Sequence, residues 1–265
     1  MLGNVFLKTL RDQRRSGLAW ATGILAITAY VIFLYPVIAD QADLQRFIDA
    51  LPEAIKAIAG GVLDYTTVNG FLSAQFFSII GPIIFIVYAV LHGSGTIAGE
   101  EERGTLGLLL AQPVSRRRVL LQKAAALLAG VGIGAAVLWA GLAVWSVAAR
   151  VDLRVGAAAQ GAASLALLGA FFAMLALAVG AATGRRAPSS GIAVAVAVST
   201  YLLNAFAPLV SWLEPARFAT PFYYYQGNEP VLRGLSLLHA GVLAGASALL
   251  LAYALWAFER RDLVR

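Results

Sequence analysis

Six stretches of this chain carry no charged side chain near their centres: Gly17–Ile38, Asn69–His92, Lys123–Ala149, Gly161–Thr183, Ser189–Val210 and Leu235–Phe258. Each holds the roughly 20 mostly apolar residues that take a helix across a bilayer core. Of the 265 residues, 60% are hydrophobic and 13% charged. A soluble domain has about 45–50% and about 25%. One soluble core cannot hide so much apolar surface, whereas lipid accepts it on the outside of the molecule. The expected fold is an all-α integral membrane protein with six transmembrane helices in a single domain over residues 1–265.

The first span is too long for the core of a signal peptide, and no A-x-A-like site follows it before Pro36, so it is expected to stay in the mature protein. Basic residues set the expected orientation. With both termini in the cytoplasm, Lys8, Arg11, Arg14, Arg15, Arg103, Arg116, Arg117, Arg118, Lys123, Arg185, Arg186, Arg260, Arg261 and Arg265 lie inside. They are 14 of the 20 basic residues, and the inner side carries +8 against −2 outside. The expectation is a multi-pass protein of the inner or plasma membrane, with residues 93–122 and 184–187 facing the cytoplasm. The net charge of +6 then reports topology, and no nucleic-acid partner is expected.

Residues 1–16 read as an amphipathic interfacial helix that precedes the first span. Leu2, Val5, Phe6, Thr9 and Leu10 share one face, and Lys8, Arg11, Arg14 and Arg15 the other, facing membrane lipids. Two outer segments, 39–68 and 211–234, are expected to form short helices. In the first, Leu44, Phe47, Ile48 and Leu51 recur at helical spacing, and Pro52 can open a second helix. The second is rich in aromatics, including Trp212, Phe218 and Phe222 to Tyr225, which suit a headgroup belt or a substrate gate equally.

The absences narrow the function. Cysteine is missing, so disulfides, thiolate metal sites and cysteine nucleophiles are excluded. No G-x-x-x-x-G-K-[ST] phosphate loop, H-E-x-x-H or Ser/His/Asp set occurs, so no bound cofactor, metal or enzyme activity is expected. Charge-free spans speak against an ion-coupled secondary transporter and, less strongly, against a channel. Asn69, Ser73 and Gln75 in the second span and Ser199 and Asn204 in the fifth are the polar candidates for lining a pathway. Hydrogen bonding between helices explains them as well.

The loop at 93–122 carries the strongest local pattern. Glu100, Glu101 and Glu102 would oppose the macrodipole at the end of span two. They fit better at the start of a new short helix, after a break at Gly93, Gly95 and Gly99. That helix places Leu106, Leu109 and Leu110 on one face, Pro113 stops it, and Ser115 can cap the third span. Arg116, Arg117 and Arg118 then sit against the dipole of that span, and topology, anionic lipid or an acidic partner must supply the reason.

The run Gly99-Glu-Glu-Glu-Arg-Gly-Thr-Leu-Gly-Leu-Leu-Leu-Ala-Gln-Pro-Val-Ser-Arg116 resembles the loop signature of ABC-2-type transporter permeases. Ser73-Ala-Gln-Phe-Phe77, Leu51-Pro-Glu-Ala54 and Thr220-Pro-Phe-Tyr-Tyr-Tyr225 agree with it, as does the six-span plan over the whole chain. The resemblance implies the membrane subunit of an ATP-binding cassette exporter. Two permease chains, identical or different, would pair with two cytosolic ATPase subunits, which hold the ATP and Mg. The 93–122 loop would carry a coupling helix. In it Glu100, Glu101, Glu102 and Arg103 would make polar contacts, Leu106, Leu109 and Leu110 an apolar docking face ended by Pro113, and Gly104 and Thr105 would belong to the same interface. A non-transporting membrane scaffold or sensor that recruits a cytosolic partner through the same loop is the alternative. The substrate is not legible, though charge-free spans favour an amphipathic one.

Overall fold

The computed structural model describes residues 5–39, 50–52, 55–56, 67–227 and 229–261. Among these residues there are helices and no strand. Helix α1 spans Val5–Ala39. Span two is built from α2 (Val68–Phe71), a π-helical stretch (Leu72–Ile80) and α3 (Gly81–Thr96). Two short helices follow, α4 (Ala98–Glu102) and α5 (Thr105–Leu110). The long helices α6 (Arg116–Ala149), α7 (Val155–Thr183) and α8 (Arg186–Phe206) come next. Two 3-10 turns lead to α9 (Pro221–Gln226), and α10 (Leu237–Arg260) closes the bundle. Six helices are long and apolar enough to cross a membrane, which gives a multi-pass membrane protein.

Local chemistry sets the helix ends. Ser115 Oγ accepts from Arg118 N–H, Thr220 Oγ1 from Tyr223 N–H and Ser236 Oγ from His239 N–H, so each satisfies an orphan donor of a first turn. Helix α7 ends at Gly184, whose φ of +68° is a left-handed conformation that glycine adopts without strain. A Cβ there would also lie 1.8 Å from Arg261 Nη1.

Helix α7 is the axis of the bundle. It packs on α3, α6, α8 and α10, and is the most buried of the six spans. Small residues allow that closeness: a Cβ on Gly93 of α3 would stand 2.8 Å from Ala173 O and 2.9 Å from Ala176 Cβ on α7. Helices α1, α8 and α10 lie at the periphery and turn apolar side chains outward, among them Leu18, Val198 and Leu249. The G-x-x-x-G pair Gly130 and Gly134 of α6 receives side chains from neighbouring helices, whereas the pair Gly241 and Gly245 of α10 faces open space.

Two expectations are revised. The N-terminal amphipathic segment is not a separate helix: from Val5 onward it is the first turns of α1, continuous with the span. Its apolar side faces protein, because Val5 and Leu109 pack with Val119 in a small buried cluster. Span two ends at Thr96, and Ile97, between Gly95 and Gly99, separates it from α4 as expected, but the single short helix expected to run on to Pro113 is split at Gly104, with φ +72°. Most of the outer 39–68 segment lies outside the described residues, though Ile55 and Lys56 N–H groups donate to Pro52 O, a first helical turn.

Candidate functional site

The loop between spans two and three is held by charge. Helix α4 carries Glu100 and Glu101 in its first turn, where the macrodipole favours acids, and Glu102 as its last residue. Each acid finds a donor. Glu100 Oε1 lies 2.5 Å from Lys123 Nζ, and that ammonium also donates to Thr96 O at 3.2 Å. Glu101 pairs with Arg261, just past α10. Glu102 Oε1 accepts from Arg186 N–H at 2.7 Å, at the first residue of α8. One five-residue helix thereby touches α6, α8 and the end of α10.

Further bonds tighten this junction. Arg116 Nη1 donates to Phe258 O at 3.3 Å and to Arg261 O at 2.8 Å, carbonyls at the negative end of α10. That accounts for a cation at the start of α6, against its own dipole, because it serves the dipole of a neighbour. Gln122 Oε1 accepts from Val5 N–H at 2.8 Å and Phe6 N–H at 3.3 Å, capping α1 from α6.

The expected docking face is corrected by burial. Leu106 and Leu109 are 1% and 6% exposed and point into the bundle, and Leu110 is partly buried beside them. Leu108 is the leucine of this helix left outside, 74% exposed, and Glu102, Arg103, Gly104, Thr105 and Pro113 are exposed as well. Lys123, counted in the sequence as a solvent-side charge, is buried.

The opposite end of span two is organised around Pro82. Gly81 N–H donates to Phe76 O in the π register, and Pro82 has no N–H. The carbonyls of Phe77 and Ser78 are therefore left without a backbone donor. Helix α9 supplies both: Tyr225 Oη donates to Phe77 O at 2.6 Å, and Gln226 Nε2 to Ser78 O at 3.2 Å. Full burial pushes the Tyr225 hydroxyl well above the ordinary phenol range, which keeps it protonated as a donor. Inside a bilayer, freed carbonyls need such partners.

The aromatic outer segment is thus divided. Phe222 and Tyr225 are buried in the bundle, while Trp212 and Phe218 are exposed. Among the polar candidates, Asn204 joins this junction through Thr220 Oγ1 and Gln226 Oε1, both at 3.4 Å. Ser73 lines a small recess with Tyr225 and Gln226. Asn69 lies apart, where its Oδ1 accepts from Arg154 N–H at 3.3 Å. Gln75 is half-buried on the π stretch, and Ser199 is exposed on α8. The five do not form one polar channel. Between α3 and α8 runs instead an apolar groove of about 420 Å³, lined by Pro82, Val87, Val194 and Val198 and floored by Phe222.

The family profile described as ABC-2 family transporter protein matches residues 3–263. The chain belongs to that family. It is therefore the membrane permease of an ABC transporter, and the match covers all six spans and the charged loop. Comparison with the curated proteins finds no match. Within this ABC-2 permease, the residues missed from sequence are the basic partners and the α9 donors: Lys123, Arg261, Tyr225 and Gln226. A proline beside glycine in mid-span, Gly81-Pro82, was the available signal for the second pair. No cluster of metal-binding side chains is found among the described residues.

Proposed function

We propose that this permease is the pathway-forming half of an exporter driven by separate cytosolic ATPase subunits, with both termini cytoplasmic and the α4–α5 loop as its coupling element. The observation that carries the reading is Leu108, an apolar side chain exposed on a short helix whose base is bolted to three spans. An exposed leucine on a rigid mount suits a protein partner. Arg103, Gly104, Thr105 and Pro113 complete that surface. Glu100, Glu101, Leu106 and Leu109 anchor the loop inward and transmit its movement to α6 and α10.

ATP and Mg belong to the partner ATPase in this scheme, and hydrolysis takes place there. A second permease chain, identical or different, faces the α3–α8 groove, so that an amphipathic substrate moves along apolar walls between the two. The permease reconstituted with its ATPase tests this. Leu108→Asp should abolish permease-dependent stimulation of ATP hydrolysis while the folded permease is retained. Unchanged stimulation would mean that coupling runs through another surface.

A further inference from the structure

A second groove, of about 530 Å³, lies between α1, α3 and α6. Its polar side chains are confined to one end. Near the α1 N-terminus Gln13, Arg14, Trp20 and Tyr88 line it together with Leu10 and Leu18. The other end, with Ile24, Ile84 and Val137, is apolar.

The polar groups there lack partners. Gln13 Oε1 is enclosed without a hydrogen-bond donor. The Tyr88 hydroxyl has no hydrogen bond among the described residues, although the ring is fixed by stacking on His92 at 4.2 Å and by the edge of Trp20 at 5.7 Å. Gly130 makes room for that hydroxyl: a Cβ would stand 2.1 Å from it. Arg14 is exposed and forms no ion pair with any described residue. Buried polar groups ordinarily find partners, so the enclosed Gln13 Oε1, with the half-buried Tyr88 hydroxyl and the exposed Arg14 beside it on one groove, calls for a ligand that supplies a donor there.

We infer that this groove binds one anionic phospholipid from the leaflet at the end of the bundle that carries the termini. Arg14 meets the phosphate, Gln13 Oε1 accepts from a headgroup hydroxyl or amine, and the Tyr88 hydroxyl donates to an acyl ester carbonyl. The acyl chain lies along Ile24, Ile84 and Val137. The length fits: from Arg14 to Ile24, α1 rises about 15 Å at about 1.5 Å per residue, half of a core about 30 Å thick. The charge fits too, with Arg11 and Arg15 flanking Arg14 on α1.

Trp20 reports on the site. The full chain is placed in phosphatidylcholine nanodiscs doped with brominated phosphatidylglycerol, and Trp20 quenching is taken as wild type minus Trp20→Phe. The expected result is quenching that saturates at low phosphatidylglycerol fraction, with brominated phosphatidylcholine giving only a linear rise. Gly134→Leu fills the groove and should remove the saturable part. A Cβ at Gly134 meets its neighbours at 3.7 Å, so the variant grows into the groove rather than into backbone. Arg14→Gln should raise the half-saturating fraction about tenfold, the loss of one charge-assisted contact, and Tyr88→Phe should weaken it with the groove unchanged. Equal, linear quenching by both lipids, or a saturable component that survives Gly134→Leu and Tyr88→Phe alike, overturns the assignment.

Discussion

Lys123 Nζ sits 2.5 Å from Glu100 Oε1 with its side chain 1% exposed, so the loop between spans two and three is fastened to the third span by a buried ion pair. Such pairs contribute little net stability over an apolar replacement, but breaking one side strands a buried charge. Lys123→Met should destabilise the permease by about 3–5 kcal/mol. Adding Glu100→Gln should recover much of that loss. Thermal unfolding of both single variants and the double variant in detergent gives the coupling energy, and additive losses would show that the pair is not a unit.

Tyr225 and Pro82 are linked in the same way at the other end. Tyr225→Phe leaves Phe77 O unsatisfied, at a cost of about 1–3 kcal/mol. Pro82→Ala restores a backbone N–H to the helix and should relieve part of that cost. The expected signature is therefore a double variant more stable than Tyr225→Phe alone, read from unfolding midpoints. If Pro82→Ala only adds to the damage, α9 is not compensating for the missing N–H.

Gly184→Ala combines a left-handed φ with an overlap on Arg261. The backbone term alone is about 1–2 kcal/mol. Displacing Arg261 also frees Glu101, so ATPase stimulation should fall further than stability does. Gly95→Ala, which meets nothing within 4 Å, is the matched control and should change neither.

Leu106 and Leu108 are neighbours in sequence with opposite fates. Leu106→Asp places a charge in the core and should prevent accumulation of folded protein. Leu108→Asp should leave the unfolding midpoint within about 0.5 kcal/mol equivalents of wild type, as for an ordinary surface change. Size-exclusion profiles and unfolding curves of the two separate these outcomes.

The spans were legible because each needs only length and apolar content, and both are local properties. Capping was legible at Ser115 for the same reason. The short helix at Glu100 to Glu102 was legible from dipole logic, which treats a helix alone, but the partners of these acids were not. Lys123, Arg186 and Arg261 lie 23, 84 and 160 residues from them, and no local pattern links the two. Leu106 and Leu109 share a helical face with any docking surface in sequence. Which face turns inward was decided by Val5 and Val119 around Leu109 and by the main core around Leu106, which no local pattern connects to them. The π stretch was hidden because its apolar content reads as ordinary helix, and its cause, Pro82, acts through carbonyls satisfied from α9.

The absence of cysteine makes the central claim directly measurable. Leu108→Cys is then the sole thiol in the chain, and a membrane-impermeant maleimide can report its side and its cover. The account predicts labelling in inside-out vesicles and not in intact cells, with protection when the partner ATPase is added. Labelling from the outer face, or labelling unaffected by saturating ATPase, contradicts it.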